Sequence, residues 1–228
     1  MRMNKMKKLL VTGTMLVVIS MLALPVFAQE LETNSQDDAA QAIEEETSDI
    51  VSTIPEPGLT PDSPFYFLDT LVEDVDLALT RAPEKKAKKA FAFAEEKLAE
   101  TQDSVNKGKQ NAAEKATKRH DKLLADTNEN LGKAKALGKD VDVLATHVAE
   151  QTLKHLAVKQ RVYDKLVAKG NLNAAEAVKN SMDKSLNGHE KAVEAISKNK
   201  ANKEKLDNKG KAIKNKIREV DEKEGDED

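Results

Sequence analysis

Four histidines are the side chains best equipped for chemistry in this chain: His120, His147, His155 and His189. The sequence has no cysteine, so thiolate nucleophiles, thiolate–metal sites and disulfides are excluded. A neutral imidazole can ligate Zn or Cu, and it gains its proton close to neutral pH. His147 and His155 are eight residues apart, about 12 Å along a helix axis, and cannot share one ion. Helix register suggests another grouping. If one hairpin turns near residue 136 and the next near 171 or 172, His120 lies level with residue 152, and His155 lies level with residue 188, beside His189. His120, His155 and His189 then share one layer, a candidate metal or pH-sensitive site. The plainer reading makes them hydrogen-bonded core imidazoles, partnered by Ser185, Gln151 or the backbone.

No other pattern points to a reaction. There is no glycine-rich phosphate loop, no G-x-S-x-G and no H-E-x-x-H. Adjacent acids such as Glu95-Glu96 fall on exposed faces, where they serve solubility rather than acid–base catalysis. The chain is expected not to be an enzyme and to need no cofactor, with a transition metal such as Zn or Cu as the alternative.

The elements that must position the histidines are helices. Charged residues make up 34% of the 228-residue chain and aromatics 3%, a balance typical of helix-dominated proteins. The spacing predicts an all-α, elongated up-and-down bundle of about five antiparallel helices over residues 57–198. Ahead of it, residues 1–28 read as a signal peptide. Arg2, Lys5, Lys7 and Lys8 precede an uncharged run from residue 9 to 24, and small or apolar residues lead to a cleavage point after Ala28. Secretion or extracytoplasmic placement follows; an uncleaved N-terminal membrane anchor is the alternative. Without the four leader cations the 37 bases fall to 33 against 40 acids, a charge of −7. Residues 29–56 carry nine acids and no base, and read as an acidic disordered linker.

Five of the six aromatics after the leader, Phe65, Tyr66, Phe67, Phe91 and Phe93, sit in the first two helical segments, which are expected to pin the bundle. In the first segment, Phe65, Leu68, Val72, Val75 and Leu79 share a face expected to turn inward, with Asp69, Glu73, Asp74 and Asp76 outside. Pro83 restarts the chain with Ala87, Ala90 or Phe91, Ala94, Leu98 and Val105 inward. The third helix stripes Ala113, Ala116, His120, Leu123, Leu124 and Thr127. The fourth stripes Leu144, Val148, Gln151, His155, Val158, Val162 and Leu166, and the fifth Val178, Met182, Ser185, His189, Val193 and Ile196. Short loops make consecutive helices antiparallel neighbours.

The stretch GLTPDSPFYFLDTLVEDVDLALT, followed by PEKKAKKAFAFAEEKLAE, resembles an uncharacterised family of exported prokaryotic proteins, domain of unknown function 5667 (DUF5667). The later HVAEQTLKHLAVKQRVYDKL and SLNGHEKAVEA are similar to that family's second half, so the likeness spans residues 57–196. The resemblance implies a helical exported domain and brings no assigned activity.

Residues 199–228 read as a charged C-terminal helix or tail. Residues 198–218 hold nine bases and two acids, and residues 219–228 seven acids and one base. Gly210 on the apolar stripe should weaken this helix by about 1 kcal/mol. The basic segment 198–218 suits weak contact with anionic lipids or wall polymers. Nucleic acid is not expected, because no aromatic platform interleaves these bases. The function that follows is a non-enzymatic structural or protein-interaction module of the cell envelope or extracellular space, acting on an unknown protein partner or by self-association. The alternative is an extracytoplasmic metal-binding or stress-sensing protein built on the histidine layer.

Overall fold

A computed structural model describes residues 55–224, with side chains to residue 218, and contains six α-helices and no strand among the described residues. They are α1 (Tyr66–Leu79), α2 (Pro83–Asn106), α3 (Gln110–Ala136), α4 (Asp142–Ala168), α5 (Leu172–Ala195) and α6 (Lys200–Glu224). The expected leader over residues 1–28, nearly all of the expected acidic linker and the last four residues lie outside the described residues.

Three of the turns use one device. Gly108, Gly138 and Gly170 each adopt φ near +72°, a conformation that costs glycine little and other residues more. After each, the next amide reaches back to a carbonyl in the helix's last turn: Lys109 N–H to Ser104 O, Lys139 N–H to Ala134 O, Asn171 N–H to Leu166 O. The chain therefore reverses sharply after α2, α3 and α4.

These four long helices, α2 to α5, form the centre, but not in the expected neighbour order. The extensive helix pairings are α2 with α3, α3 with α5, α5 with α4 and α4 with α2, so α3 and α4 lie diagonally across the bundle. Direction follows from contact offsets. Phe91 stacks on His155, and Lys165 Nζ donates to Asn106 Oδ1 at 2.6 Å, so α2 and α4 run parallel at a nearly constant offset. Asp121 meets Ser181 and Leu124 lies against Gly188, so α3 and α5 also run parallel. Consecutive helices do reverse. Long side chains of α3 and α4 therefore meet on the bundle axis rather than along a shared edge.

The first helix departs furthest from expectation: its acidic side faces the bundle. Lys97 of α2, fully buried, holds Asp69 at 2.9 Å, Glu73 at 2.7 Å and Glu100 of its own helix at 2.6 Å. Arg119 of α3 pairs with Glu73 at 2.9 Å and Asp74 at 2.7 Å, and Lys89 pairs with Asp76 at 2.5 Å. Leu77 is the helix's one buried apolar anchor, packed with Ala90, Ala94 and Leu123. The expected inward stripe points to solvent, with Phe65 61%, Val72 68% and Leu79 75% exposed. The reason is energetic. A buried ammonium costs several kcal/mol unless anions surround it, and only the acidic face of α1 supplies enough of them. Of the aromatics expected to pin the core, Phe91 is fully inside, Phe93 packs partly against it, and Phe65 and Phe67 are outside.

The charged C-terminal segment is a packed helix. Leu206 is buried, while Ile213 and Ile217 pack on Leu156, Met182 and Leu186. Gly210, expected to weaken the helix, is where the His189 ring sits; a Cβ there would lie 2.6 Å from Nε2.

The orientation of α1 has a direct test in urea unfolding. Leu98→Ala should cost about 2–5 kcal/mol because it empties a buried site. At a dilution that keeps the protein a single chain, Val72→Gln should cost less than about 0.5 kcal/mol, because Val72 is on the surface of that chain. A large loss at Val72 would restore the inward stripe.

Candidate functional site: a buried polar centre

On the bundle axis, α3 contributes His120 and Asp121, α4 contributes His155 and Lys159, and α5 contributes Ser181 and Ser185. Lys159 sits in the middle. Its Nζ lies 3.2 Å from His120 Nδ1, 3.3 Å from Asp121 Oδ1, 3.0 Å from the Ser181 carbonyl and 2.8 Å from Ser185 Oγ, and it also donates to Ser181 Oγ. An ammonium has three protons for these five acceptors, so it is satisfied throughout. Ser181 Oγ in turn donates to Asp121 Oδ1, whose partner oxygen accepts from Lys184 at 3.1 Å.

The histidines continue the chain of contacts. With Lys159 donating to His120 Nδ1, the ring's proton belongs on Nε2, which faces His155 Nδ1 at 3.3 Å. His155 Nε2 then points at Glu95, 3.9 Å away, and the ring stacks on Phe91 at 5.5 Å. Burial, reinforced by the Lys159 charge, pushes His120 down to about 4. Burial likewise holds His155 well below the usual range, with His120 and Lys159 adding to it. Lys159 is pushed down to about 8 by burial, against the pull of Asp121. Burial opposes the Asp121 charge, yet the Lys159 ammonium and the Ser181 hydroxyl outweigh it and hold the carboxyl below its ordinary value.

The three histidines singled out by register divide two and one. His120 and His155 meet; His189 does not join them, because Nδ1 faces the Ala149 carbonyl at 2.9 Å and Nε2 the Leu206 carbonyl at 3.0 Å. It links α5 to α4 and α6. His147 is exposed and presents an edge to Phe91 at 5.8 Å.

Chemically, a serine hydroxyl beside a lysine that readily loses its proton is a nucleophile pair. Ser181 and Lys159 are both closed off, however, at 0% and 1% exposure. The adjoining surface depression, lined by Asp121, Asn128, Lys184 and Lys191 among others, reaches the outer side of Asp121. The arrangement is suited to fixing helix register and to responding to pH.

The second buried cluster, under α1, has the opposite electrostatic character. Burial pushes Glu100 up to about 7 despite the Lys97 contact, and burial with the Glu100 charge pushes the Tyr66 hydroxyl up to about 12. Carboxylate oxygens of Asp69, Glu96 and Glu100 lie within 4.8 Å of one another, and the Lys97 ammonium contacts two of the three residues.

Residues 58–166 match the family model described as Domain of unknown function (DUF5667). This stretch resembles that family. The match takes in α1, α2, α3 and nearly all of α4, and so includes Lys97, His120, His155 and Lys159 but not Ser181, Ser185 or His189. It covers the opening motif recognised in the sequence and stops short of SLNGHEKAVEA. No curated protein and no solved structure matches the chain.

Sequence reasoning missed Lys97, Asp121, Lys159 and Ser181. The signal was present for the lysines. Lys97 follows Ala87, Ala90 and Ala94 on the α2 stripe, and Lys159 stands between His155 and Val162 on the α4 stripe, each at the 3–4 spacing of core positions.

The pH dependence has a defined sign. His120 has a native value near 4, below the 6.5 of an unfolded histidine, so the unfolded chain binds the extra proton between those values. Its contribution makes stability fall as pH drops from about 6.5 to about 4. Glu100, raised from 4.5 to about 7, binds its proton first in the native state, so its contribution makes stability fall as pH rises across that window. Urea midpoints measured from pH 4 to 7 should thus depend less on pH in His120→Gln and fall more steeply toward acid in Glu100→Gln. Identical slopes in all three proteins would contradict the assignment.

Proposed function

We propose that this protein is a non-enzymatic interaction module that works outside the cytoplasm and binds a protein partner through the apolar face of α1. The observation that supports this reading is the inversion of that helix. Its acidic side is committed to Lys97, Lys89 and Arg119, which leaves Phe67, Leu68, Leu71, Val72, Val75 and Leu79 facing solvent. Contiguous apolar patches of this extent on soluble domains mark interaction surfaces.

A protein suits this face better than a lipid surface. Helices that lie on membranes carry lysine and arginine on their polar side. Residues 55–80 contain six acids and neither base. Of the bases in the 198–218 segment, Lys198, Lys211 and Lys214 already pair with Asp140, Asp207 and Glu190. Export rests on the basic and apolar leader of the sequence, and no helix among the described residues is long and apolar enough to cross a membrane.

A second reading, an extracytoplasmic transition-metal or stress sensor, draws on the 3.3 Å separation of His120 Nε2 and His155 Nδ1, which would let both ligate one ion once the His120 proton moves to Nδ1, 3.3 Å from Asp121 Oδ1. Both His189 nitrogens face carbonyls rather than this pair, so the third ligand would come from elsewhere. Thermal unfolding with micromolar Zn or Cu separates the readings. A raised midpoint that His155→Ala abolishes would favour the metal, since a ligand of the folded state alone must stabilise it. The interaction reading expects no shift.

For the interaction reading itself, a photo-crosslinking amino acid placed at Val72 in producing cells should yield discrete protein adducts. The same group at Val143, 86% exposed on the first turn of α4, should not. Absence of adducts at Val72, or equal yields at both positions, would overturn it.

A further inference from the structure

We infer that the partner of the α1 face is a second copy of this chain, docked α1 against α1 in antiparallel register about a twofold axis near Val72. The inference rests on the interaction-module reading and adds the identity of the occupant.

The character of the face fits. Phe65, Phe67, Leu68, Leu71, Val72, Val75 and Leu79 are between 45% and 75% exposed. Side by side on one helix they form a contiguous apolar patch of the kind that marks protein–protein contacts.

The pattern is self-complementary. Leu68, Leu71 or Val72, Val75 and Leu79 recur every three or four residues on one side of a regular helix, and such ridges interlock with their own antiparallel copy. Val72 stands at the midpoint of Tyr66–Leu79, so it would face its own counterpart. An isologous contact of this kind closes on itself and leaves no sticky end.

Charge selects the direction. At the approach to α1 Asp62 is neutralised by Lys109 and Glu56 remains exposed, whereas the exit carries Arg81 and Lys85, both exposed. Antiparallel pairing brings the Arg81 end of one copy to the Glu56 end of the other and opposes the two helix dipoles favourably. Parallel pairing would stack like charge on like at both ends. The acids in the middle of α1 do not interfere. Asp69 and Glu73 are turned inward to Lys97, and Asp74 is held by Arg119.

The absence of cysteine makes the test clean, because a single introduced thiol can report only on itself. The full chain, expressed through its own leader, would carry Val72→Cys, Leu79→Cys or Val143→Cys and be oxidised mildly in intact cells. Val72→Cys should form a covalent dimer. Leu79→Cys should not, because the two copies of that position lie about 20 Å apart along an antiparallel pair; nor should Val143→Cys. The recovered wild-type protein should scatter light as twice the single-chain mass, and Val72→Asp should return it to one chain while keeping its helical circular dichroism. Cross-linking at Val72 and Leu79 alike would replace the antiparallel arrangement by a parallel one, and equal cross-linking at Val143 would reduce it to chance collision. A single-chain mass without Val72 cross-links would overturn the dimer. In that event photo-adducts of another mass at Val72 would keep the interaction module and replace its occupant, and no adducts at all would remove both.

Discussion

The ion cluster around Lys97 is the constraint on which the rest of this structure depends. A lysine on the core stripe of α2 cannot be buried alone, since leaving one charge unpaired inside a protein costs about 3–5 kcal/mol. Glu100 on the same helix supplies one counter-charge, and the remainder must come from another element. The preceding helix has acids on one side and hydrophobic residues on the other, and the ammonium selects the acids. Everything unusual about α1, including its outward apolar face, follows from that choice.

The second buried lysine acts on the bundle's interior in a similar way. Lys159 and its partners join three helices, two of them diagonal to each other, through groups that must all be satisfied together. An apolar core of alanine and leucine tolerates sliding by a turn, whereas a lysine with defined acceptors does not. Small buried residues along these helices, Ala116, Ala145 and Ala149 among them, let the helices approach closely. His189 extends the same logic outward, tying α6 down through a carbonyl and through the space left by Gly210.

Much of this was legible in the sequence. Helix periodicity marked the long helices, and the glycines at 108 and 170 stand at their ends because turn chemistry is local, whereas Gly132, which with Gly138 reads as flanking a loop, lies inside α3. Register arithmetic brought His120 close to the level of His155, an encounter that occurs across the bundle axis. The face of α1 was not legible, since periodicity reports two opposite stripes and is silent about which one the neighbours need. That information lay in Lys97, a residue whose type argues for the surface and whose position argues for the core. The same conflict hid Lys159. His189 and Gly210 were separated for a related reason: each looks like a defect in its own helix, and only the packing of α5 against α6 makes them complementary.

The way α1 is attached divides labour between its two sides. Residues that hold the helix in place are charged and hidden, while those it shows to the outside are apolar and contribute little to holding it. In most bundles one set of side chains serves both purposes, so a change of partner puts the fold at risk. Here the outward positions can change among Leu, Val, Phe or Ile without loosening the contacts that hold the helix. The fold carries an apolar surface whose side chains are independent of the scaffold beneath it.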